Sequence, residues 1–282
     1  MAISVTTLSS YLYCQRKLYL QKVLGLEEVP KKAIVLGSVR HEVFEKINNT
    51  EQGIIESITS SFNEKDILNR YKQEYSKILR EVIIKNKGML KDVDLNQSVA
   101  FNKSWPSVFE EALARAENVI SFIEKHGIYG KELWQKLTPK IISELKLESE
   151  NLKLVGVIDQ VAHYEETVLP FELKTGSTPK QGVWDSHKIQ IGAYILLLRE
   201  HSKKEINNGF VRYLDSGETR EVVMNPFLEF KINELIEKTK GLLNSKTVPS
   251  FCNNKNKCSA CGLKESCYNE AEINKLIESK WG

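Results

Sequence analysis

Two short, largely apolar segments joined by a polar connection lie near the centre of this sequence. Residues 153–164 and 168–174 are interpreted as two β-strands, and the short polar connection between them is typical of a hairpin turn. Asp159 lies in the first segment, and Glu172 and Lys174 lie in the second. Because side chains on a strand alternate between its faces, Glu172 and Lys174 are expected to point the same way, with Asp159 beside them.

The predicted hairpin therefore crowds two carboxylates and an ammonium onto one surface. Asp159 interrupts the apolar run 155–161, where a lone acid is unexpected. A hard divalent cation such as Mg²⁺ or Mn²⁺ removes the cost of crowded carboxylates, and a neighbouring lysine orients a water molecule on that cation. The pattern predicts phosphodiester cleavage, although a Glu-x-Lys sequence by itself is more typical of a solvated strand surface.

Apolar residues at helical spacing lie on both sides of this hairpin. They predict helices over residues 7–20, 33–47, 66–85, 108–126, 183–201 and 226–243, and alternating segments predict further strands over 141–148, 210–214 and 219–224. A looser segment over 88–106 precedes the helix 108–126. Glu144 lies on the strand 141–148, where it is either a surface residue or a neighbour of the metal site. The order of elements predicts a mixed α/β core with helices on its faces.

Composition and charge are those of an ordinary globular protein. Of the 282 residues, 41% are apolar and 27% are charged, and the net charge of +3 is too small to indicate a nucleic-acid partner. Phosphate contacts would have to come from local basic residues, and the candidates are Arg16, Lys17, Lys180, Lys188 and Arg199. No apolar run approaches the roughly 20 residues that span a bilayer, and the N-terminus lacks the pattern of a signal peptide. We therefore expect a cytoplasmic protein without a membrane partner.

The five cysteines are concentrated at the two ends of the chain. Cys14 lies near the start, and Cys252, Cys258, Cys261 and Cys267 lie near the end. A cytosolic protein is not expected to contain disulfides, and cysteines spaced this closely are typical of a zinc site or an iron–sulfur cluster. A small zinc knuckle built from the last four cysteines is one interpretation of the spacing, and clustering without a metal is another.

The residues of the predicted hairpin and the helix after it carry a resemblance to a known enzyme class. Gln190 and Tyr194 are four residues apart in the predicted helix 183–201, so they share one face and can touch a common partner. Taken with Asp159 and the Glu172-Leu-Lys174 sequence, this pair resembles the RecB-like branch of the PD-(D/E)xK nuclease superfamily.

Features outside the centre narrow the resemblance. His41 in the predicted helix 33–47 is a candidate metal ligand, since neutral imidazole binds Mn²⁺ well. Cys14 and the Cys258-x2-Cys261-x5-Cys267 tail place one cysteine before the core and three after it. With these additions the chain resembles the CRISPR-associated RecB-like iron–sulfur exonucleases, and helicase–nuclease subunits of the AddB type share the same cysteine layout.

The resemblance implies an architecture for the whole chain. The expected fold is α/β, with a restriction-endonuclease-like PD-(D/E)xK core whose mixed sheet is flanked by helices, a helical insertion, and an iron–sulfur region that joins the N- and C-termini. We expect four parts, which are an N-terminal helical part with the first cluster cysteine and the histidine over 1–48, a helical insertion or cap over 49–138, the nuclease core over 139–245, and a cysteine-rich tail over 246–282.

The resemblance also implies roles for single residues in catalysis. His41, Asp159 and Glu172 would hold the divalent cation, and the backbone carbonyl of Leu173 would be a further ligand. Lys174 would position the attacking water. Gln190 and Tyr194 would order the active site or contact the DNA strand; these two complete the expected catalytic set.

A second set of roles concerns the cysteines. By resemblance, Cys14, Cys258, Cys261 and Cys267 would hold a [4Fe–4S] cluster. Cys252 matches no position of that pattern and is expected to be a spare thiol or an alternate ligand. The cluster would tie the first helix to the C-terminal tail, far away in the sequence, and its expected role is structural.

The function implied by the resemblance is that of a metal-dependent DNA exonuclease acting on single-stranded ends. It would trim DNA fragments for CRISPR spacer acquisition in antiviral defence, together with the CRISPR integrase complex, and a homo-oligomer is left open. One alternative is a RecB/AddB-type repair nuclease that works with a helicase. Another is a non-catalytic, cluster-containing DNA-binding subunit, which is expected to lack Asp159, Glu172 or Lys174; all three are present.

Overall fold

A six-stranded mixed sheet forms the centre of the protein, in a computed structural model that describes residues 2–281. The strands are β1 (Ile3–Ser4), β2 (Lys140–Ser149), β3 (Leu154–His163), β4 (Val168–Lys174), β5 (Asn208–Tyr213) and β6 (Glu218–Val223). Strand β3 pairs antiparallel with β2 and β4 and parallel with β1. β5 then adds parallel to β4, and β6 adds antiparallel to β5. The predicted hairpin is confirmed, with its strand ends within one residue of the expected positions.

Twelve helices accompany the sheet among the described residues. They are α1 (Val5–Tyr13), α2 (Gln15–Lys22), α3 (Lys32–Glu56), α4 (Glu64–Lys85), α5 (Lys87–Asp92), α6 (Gln97–His126), α7 (Gly130–Lys136), α8 (Asp185–Ser202), α9 (Pro226–Leu243), α10 (Lys255–Ser259), α11 (Lys264–Tyr268) and α12 (Glu270–Trp281). The expectation of a mixed α/β fold with a helix-flanked sheet is confirmed.

One hydrophobic core lies between the sheet and α1, α8 and α9. It contains buried side chains from β3, β5 and β6 together with those of the central part of α8, within residues 189–198. Gly156 of β3 allows this close packing, because a Cβ atom there would lie 2.8 Å from the ring of Tyr194. α8 is therefore held against the strands that carry the candidate catalytic residues.

A second core is formed by the helices α3 to α7. Its residues come from these helices, and Leu173 of β4 and Leu214 after β5 reach into it from the sheet. Leu173 thus points away from Glu172, as the strand alternation predicts. The expected boundary at residue 48 falls inside α3, which runs without a break from Lys32 to Glu56.

The single helix predicted over 7–20 is wrong, because the chain breaks into α1 and α2 at Cys14. Cys14 has an extended backbone with φ −165° and ψ 110°, and its Sγ accepts a hydrogen bond from the backbone N–H of Lys17 at 3.3 Å. Sulfur thereby caps the N-terminus of α2, as an oxygen-bearing side chain usually does. The break turns Cys14 toward the C-terminal cysteines.

The looser segment predicted over 88–106 is also wrong for most of its length. Residues 87–92 form α5, and α6 begins at Gln97, eleven residues earlier than expected, with Asn96 capping it through its side chain. Pro106 lies inside α6 and cannot donate a backbone hydrogen bond to the carbonyl of Asn102. Both residues lie on the exposed face, and packing of α6 along α4 maintains the helix through the proline.

Within residues 2–281, no helix is both long and apolar enough to cross a membrane.

Candidate active site

Asp159 lies where two neighbouring strands separate. β3 and β4 are paired from Gln160 to His163. At Asp159 the ladder stops, and the side chain bonds to β4 instead, since its Oδ2 accepts the backbone N–H of Leu173 at 2.7 Å. Ile158 and Val161 both pack into the same core although they are three residues apart. Regular alternation would place them on opposite faces, so β3 is kinked at Asp159. The kink leaves the other oxygen of Asp159 free to face α3.

The side chains of Glu172 and Lys174 on β4 contact α8. Glu172 Oε1 accepts hydrogen bonds from Lys174 Nζ at 2.7 Å and from Gln190 Nε2 at 2.6 Å. Gln190 Oε1 in turn accepts from Lys174 Nζ at 3.0 Å. Tyr194, one turn further along α8, donates its O–H to the carbonyl of Val157 at 2.8 Å and accepts from Gln190. The structure thus brings all five residues expected in catalysis, including Asp159, to one place.

The carboxylate of Glu172 is buried and only half satisfied. Its residue is 3% exposed, and its Oε2 has no hydrogen-bond partner among the described residues. Burial, followed by the nearby charge of Asp159, raises the pKa of Glu172 to about 8, although Lys174 opposes this change. A divalent cation would offset the free-energy cost of an unpartnered carboxylate oxygen next to a second carboxylate.

His41 reaches the same place from α3. Its Nδ1 lies 3.3 Å from Oδ1 of Asp159. Burial favours the neutral ring, but the hydrogen bond and the charge of Asp159 outweigh it and raise the pKa of His41. Gly37, one turn earlier, brings α3 close to the end of β4, because a Cβ atom there would lie 3.0 Å from Thr175 Oγ1. His41, Asp159 and Glu172 therefore bring together imidazole and carboxylate donors of the kind that bind a divalent cation.

Glu144 is the acid whose position the sequence left open. One side-chain oxygen of Glu144, a ring nitrogen of His41 and an oxygen of Asp159 all lie within 4.8 Å of one another. Glu144 has φ 52°, a left-handed conformation that is unusual for a residue inside a strand. The only sequence signal for its role was an acid placed opposite Asp159 by the hairpin-like order of β2 and β3.

His187 is a residue of this site that sequence analysis missed. Its Nδ1 lies 3.2 Å from the hydroxyl of Tyr213. Burial, together with the charge of Lys174, lowers the pKa of His187 to about 4, so its ring is neutral near pH 7. With Lys174, Gln190 and residues of α1 and α2, it lines a cleft beside the candidate catalytic residues. The signal that pointed to it was its place on α8, one turn before Gln190.

All five cysteines line a single small cavity between α2 and the C-terminal tail. None of them forms a disulfide, and the sulfur atoms of Cys252 and Cys258 are 3.5 Å apart. Cys14 therefore joins the C-terminal cysteines, and Cys252 is not separate from the others. A set of thiol donors converging from two ends of the chain fits a sulfur-ligated metal centre.

The basic residues proposed as phosphate contacts divide into two groups. Arg16 is buried and donates to the carbonyls of Pro249 and Cys267, so it supports the tail and is unavailable to DNA. Lys17 pairs with Glu28 at 2.6 Å, and Arg199 donates to the carbonyl of Ile206. Lys180 and Lys188 are exposed and remain candidates.

Comparison with known proteins identifies a family and several relatives that match this chain. The sequence model of the PD-(D/E)XK nuclease superfamily matches residues 2–268. A CRISPR-associated exonuclease Cas4/endonuclease Cas1 fusion from Leptospira interrogans is 29% identical over 161 residues, which cover 54% of this chain and 30% of the relative. A fusion of the same description from Myxococcus xanthus is 30% identical over 133 residues, which cover 46% of this chain and 23% of the relative. A CRISPR-associated exonuclease Cas4 from Thermoproteus tenax is 25% identical over 114 residues, covering 40% of this chain and 59% of that protein.

The fold, the converging residues and the match over nearly all of the chain lead to one assignment. The protein belongs to the PD-(D/E)XK nuclease superfamily. Within it, the chain is similar to proteins described as CRISPR-associated exonucleases, and it spans less than a third of the length of the two fusion proteins.

Proposed function

We propose that this protein is a deoxyribonuclease that needs Mg²⁺ or Mn²⁺ and degrades DNA from single-stranded ends. The observation that carries the proposal is the convergence of Asp159, Glu172 and Lys174, with His41 and Gln190 in contact with them. A non-catalytic DNA-binding subunit would have no use for a buried, unpartnered carboxylate beside an ammonium, since that arrangement costs free energy unless a cation offsets it.

His41, Asp159 and Glu172 would hold the cation, with the carbonyl of Leu173 as a further ligand. When bound there, the cation supplies charge stabilisation to the phosphate and lowers the pKa of water. Asp159 is already oriented for this task, because one of its oxygens is fixed by the backbone N–H of Leu173. The free Oε2 of Glu172 provides a second oxygen ligand.

Lys174 would hold the attacking water in line with the phosphorus atom. Its Nζ is fixed by Glu172 at 2.7 Å and Gln190 at 3.0 Å, which leaves its remaining hydrogen for a water or a phosphate oxygen. Tyr194 holds Gln190 in place through the hydrogen bond at 3.1 Å. Positioning of this kind contributes to rate because the geometry is set before the substrate arrives.

The cleft beside Lys174 supports a single-stranded substrate. It is bounded by α1, α2 and α8, and its lining includes Ser9, Ser10 and Lys17 along with His187. The hydroxyl groups of this cleft, together with Lys174, offer hydrogen-bond donors to the phosphates of one extended strand.

The setting that we propose is the trimming of DNA fragments before a CRISPR integrase inserts them. The relatives described as CRISPR-associated exonucleases support this setting, and two of them are fused to the endonuclease Cas1. A repair nuclease working with a helicase would use the same residues, and the genes neighbouring this one would distinguish the two settings.

Cys14, Cys258, Cys261 and Cys267 would hold a [4Fe–4S] cluster in the cavity that all five cysteines line. The cluster would fasten α2 to the tail, next to the cleft, since Lys17 and Tyr13 line both. Its role is therefore structural support of the substrate-binding side.

The test is cleavage of a 5′- or 3′-labelled single strand by the full chain with Mn²⁺. Lys174→Ala and Asp159→Ala should each lower the rate at least about 100-fold, because each removes a group that acts on the reacting phosphate. Lys238→Ala, which removes an exposed lysine on α9, is the matched control and should leave the rate unchanged. Cleavage that persists in either active-site variant would refute the assignment.

A further inference from the structure

We propose that His187 positions the DNA strand by donating a hydrogen bond from its Nε2–H group to the phosphate next to the scissile one. The inference deepens the proposed function and rests on it, because it names a contact between the strand and the cleft beside Lys174. It gives a role to a residue outside the expected catalytic set. His187 binds the substrate in this role and takes no part in the chemical step.

The position of His187 repeats that of Gln190, one helical turn earlier on α8 and one strand further across the sheet. β4 and β5 are parallel, and Lys174 is paired with Tyr213 in their ladder. Lys174 contacts Gln190, and Tyr213 contacts His187 in the same way. Since neighbouring strands lie about 4.8 Å apart, the two contacts are about one strand spacing apart. The cleft therefore offers a strand two adjacent positions, one at Lys174 and one at His187.

Tyr213 determines which nitrogen of His187 carries the proton. The side chain of Tyr213 is fully buried, and among residues 2–281 the acceptor for its hydroxyl is Nδ1 of His187, at 3.2 Å. A buried hydroxyl donates its proton to an acceptor, so Tyr213 donates to Nδ1. In a neutral imidazole the ring proton then resides on Nε2, which becomes a hydrogen-bond donor.

The ring of His187 is suited to donate a hydrogen bond and is unsuited to act as an acid. Burial, together with the charge of Lys174, lowers the pKa of His187 to about 4. At pH 7 the charged ring is then about a thousandfold less abundant than the neutral one.

The Nε2 atom of His187 is the part of the ring that is left for a ligand. In the described part of the chain it has no hydrogen-bond partner, and it is not sealed inside the protein. A histidine with a purely structural role would have both nitrogens satisfied. Because His187 lines the cleft, its Nε2–H group is available to an acceptor there, and a phosphate oxygen is the acceptor that a DNA strand brings.

The experiment measures cleavage of a labelled oligothymidylate strand by the anaerobically purified full chain with Mn²⁺. His187→Ala should lower kcat/KM at least about tenfold, the effect of losing one hydrogen bond to a charged group. His187→Gln should recover most of this loss, because its amide nitrogen can donate from nearly the same place as Nε2. His201→Ala is the matched control, since it removes an exposed histidine from the last turn of α8, and it should leave kcat/KM unchanged.

Strands with a single methylphosphonate linkage identify the phosphate that His187 contacts, because this linkage replaces one charged oxygen with a methyl group. At a linkage beside the scissile one, the replacement should slow the unaltered protein about tenfold and have little further effect on His187→Ala, since both changes remove the same contact. Equal slowing of the two proteins at every linkage would overturn the proposal. A His187→Ala variant that cleaves like His201→Ala would overturn it as well.

Fluorescence anisotropy without Mn²⁺ measures binding of the uncut strand separately. His187→Ala should weaken binding by a similar factor between about 50 and 200 mM salt, because a neutral donor releases no counterion. Loss of a cationic contact would instead change the salt slope by about 0.7, and that result would contradict the neutral donor. A protein that binds through His187 without cleaving would refute the proposed function and leave this inference intact, whereas cleavage and binding that are indifferent to His187 would refute the inference alone.

Discussion

Glu172 has the most unusual environment of any carboxylate in the active site. It accepts hydrogen bonds from Lys174 and Gln190 through one oxygen, while the other is buried without a partner in the described part of the chain. The raised pKa, about 8, is the consequence of burial and of the charge of Asp159. Burial of this carboxylate destabilises the metal-free protein, and a bound cation would remove that destabilisation. The unfavourable environment of Glu172 therefore favours cation binding.

The pH dependence of stability tests this view of Glu172. A carboxyl whose pKa is higher in the folded than in the unfolded state favours folding when protonated, so stability is lost as pH rises from about 4.5 toward 8. In metal-free buffer, the unfolding free energy of Glu172→Gln should therefore fall less between pH 5 and pH 8 than that of the unaltered protein. Each unit of the pKa difference corresponds to about 1.4 kcal/mol.

Denaturant titrations at the two pH values measure this difference, and Asp159, His41 and Lys174 are the charged neighbours that contribute to it. Added Mn²⁺ should stabilise the unaltered protein and have a much smaller effect on the variant. Parallel pH profiles in metal-free buffer would contradict the prediction.

Local sequence patterns identified some residues of the site and not others. Asp159, Glu172 and Lys174 were recognisable because an acid inside an apolar strand and a Glu-x-Lys sequence are local patterns. Arg16 was misjudged, since its burial against the tail depends on a contact between residues 16 and 267. Glu144 was left open for the same reason, because only the pairing of β2 with β3 brings it opposite Asp159.

At the scale of elements, a buried ionic cluster connects the helical block to the sheet. Glu111 of α6 contacts Arg115 on the same helix at 2.7 Å and Arg212 of β5. Burial alone would raise the pKa of Glu111, but the two guanidinium groups lower it to about 2. The same cluster continues to Glu51 of α3, which accepts from the hydroxyls of two buried tyrosines of α4. Loss of the Glu111 charge would weaken the contact of α6 with β5.

Replacement of this charge should be costly. Glu111→Gln removes the carboxylate that Arg115 and Arg212 share, although Arg115 keeps Glu51, and we expect it to lower the unfolding free energy by about 3 kcal/mol at pH 7. Because the folded pKa is depressed, the contribution of Glu111 is present above about pH 4.5 and is lost as pH falls toward 2. Urea denaturation should therefore show the variant and the unaltered protein converging at acid pH.

Glu117→Gln is the control for this measurement, since Glu117 is an exposed acid on the same helix. Its effect should stay within about 0.5 kcal/mol. A Glu111→Gln variant that unfolds like this control would mean that the cluster contributes nothing to the attachment of α6.

Elements with strong periodicity were predictable, and those decided by contacts were not. The hairpin β3–β4 follows from two apolar segments joined by a polar connection, and α4, α8 and α9 follow from helical spacing. The break at Cys14 was missed because a sulfur cap on α2 has no clear sequence signal. The early start of α6 was missed because Pro106 is typical of a helix boundary, and packing against α4 overrides that preference.

At the scale of the whole molecule, the two ends of the chain meet at the cysteine cavity. Leu20 of α2 packs with Leu263 and Ile273 of the tail in a third, smaller core, and Arg16 adds hydrogen bonds to it. A core of this size contributes little stability by itself, so the junction is expected to depend on the metal centre proposed for the cysteines.

Removal of Cys14 tests both the centre and the junction. Cys14→Ser keeps an oxygen that can cap α2, and it should lose the broad visible absorption and most of the roughly four irons expected of a [4Fe–4S] cluster. Cys252→Ser is the comparison: a spare thiol outside the proposed ligand set should leave both unchanged, and loss of either would make Cys252, 3.5 Å from Cys258, an alternate ligand. A colourless unaltered protein with one zinc, which survives Cys14→Ser, would instead support the local zinc knuckle.

Local patterns were enough to predict the mixed α/β class, the hairpin with its acidic and basic residues, and the presence of a thiol-rich tail. These features follow from local periodicity and from residue types whose chemistry does not depend on context. The division into the parts 1–48, 49–138, 139–245 and 246–282 stays a prediction. The folded chain was needed to learn which residues meet: Glu144 with Asp159, His187 with Tyr213, and Cys14 with Cys252. Burial and distance arise from contacts between segments far apart in the chain, and no local pattern encodes them.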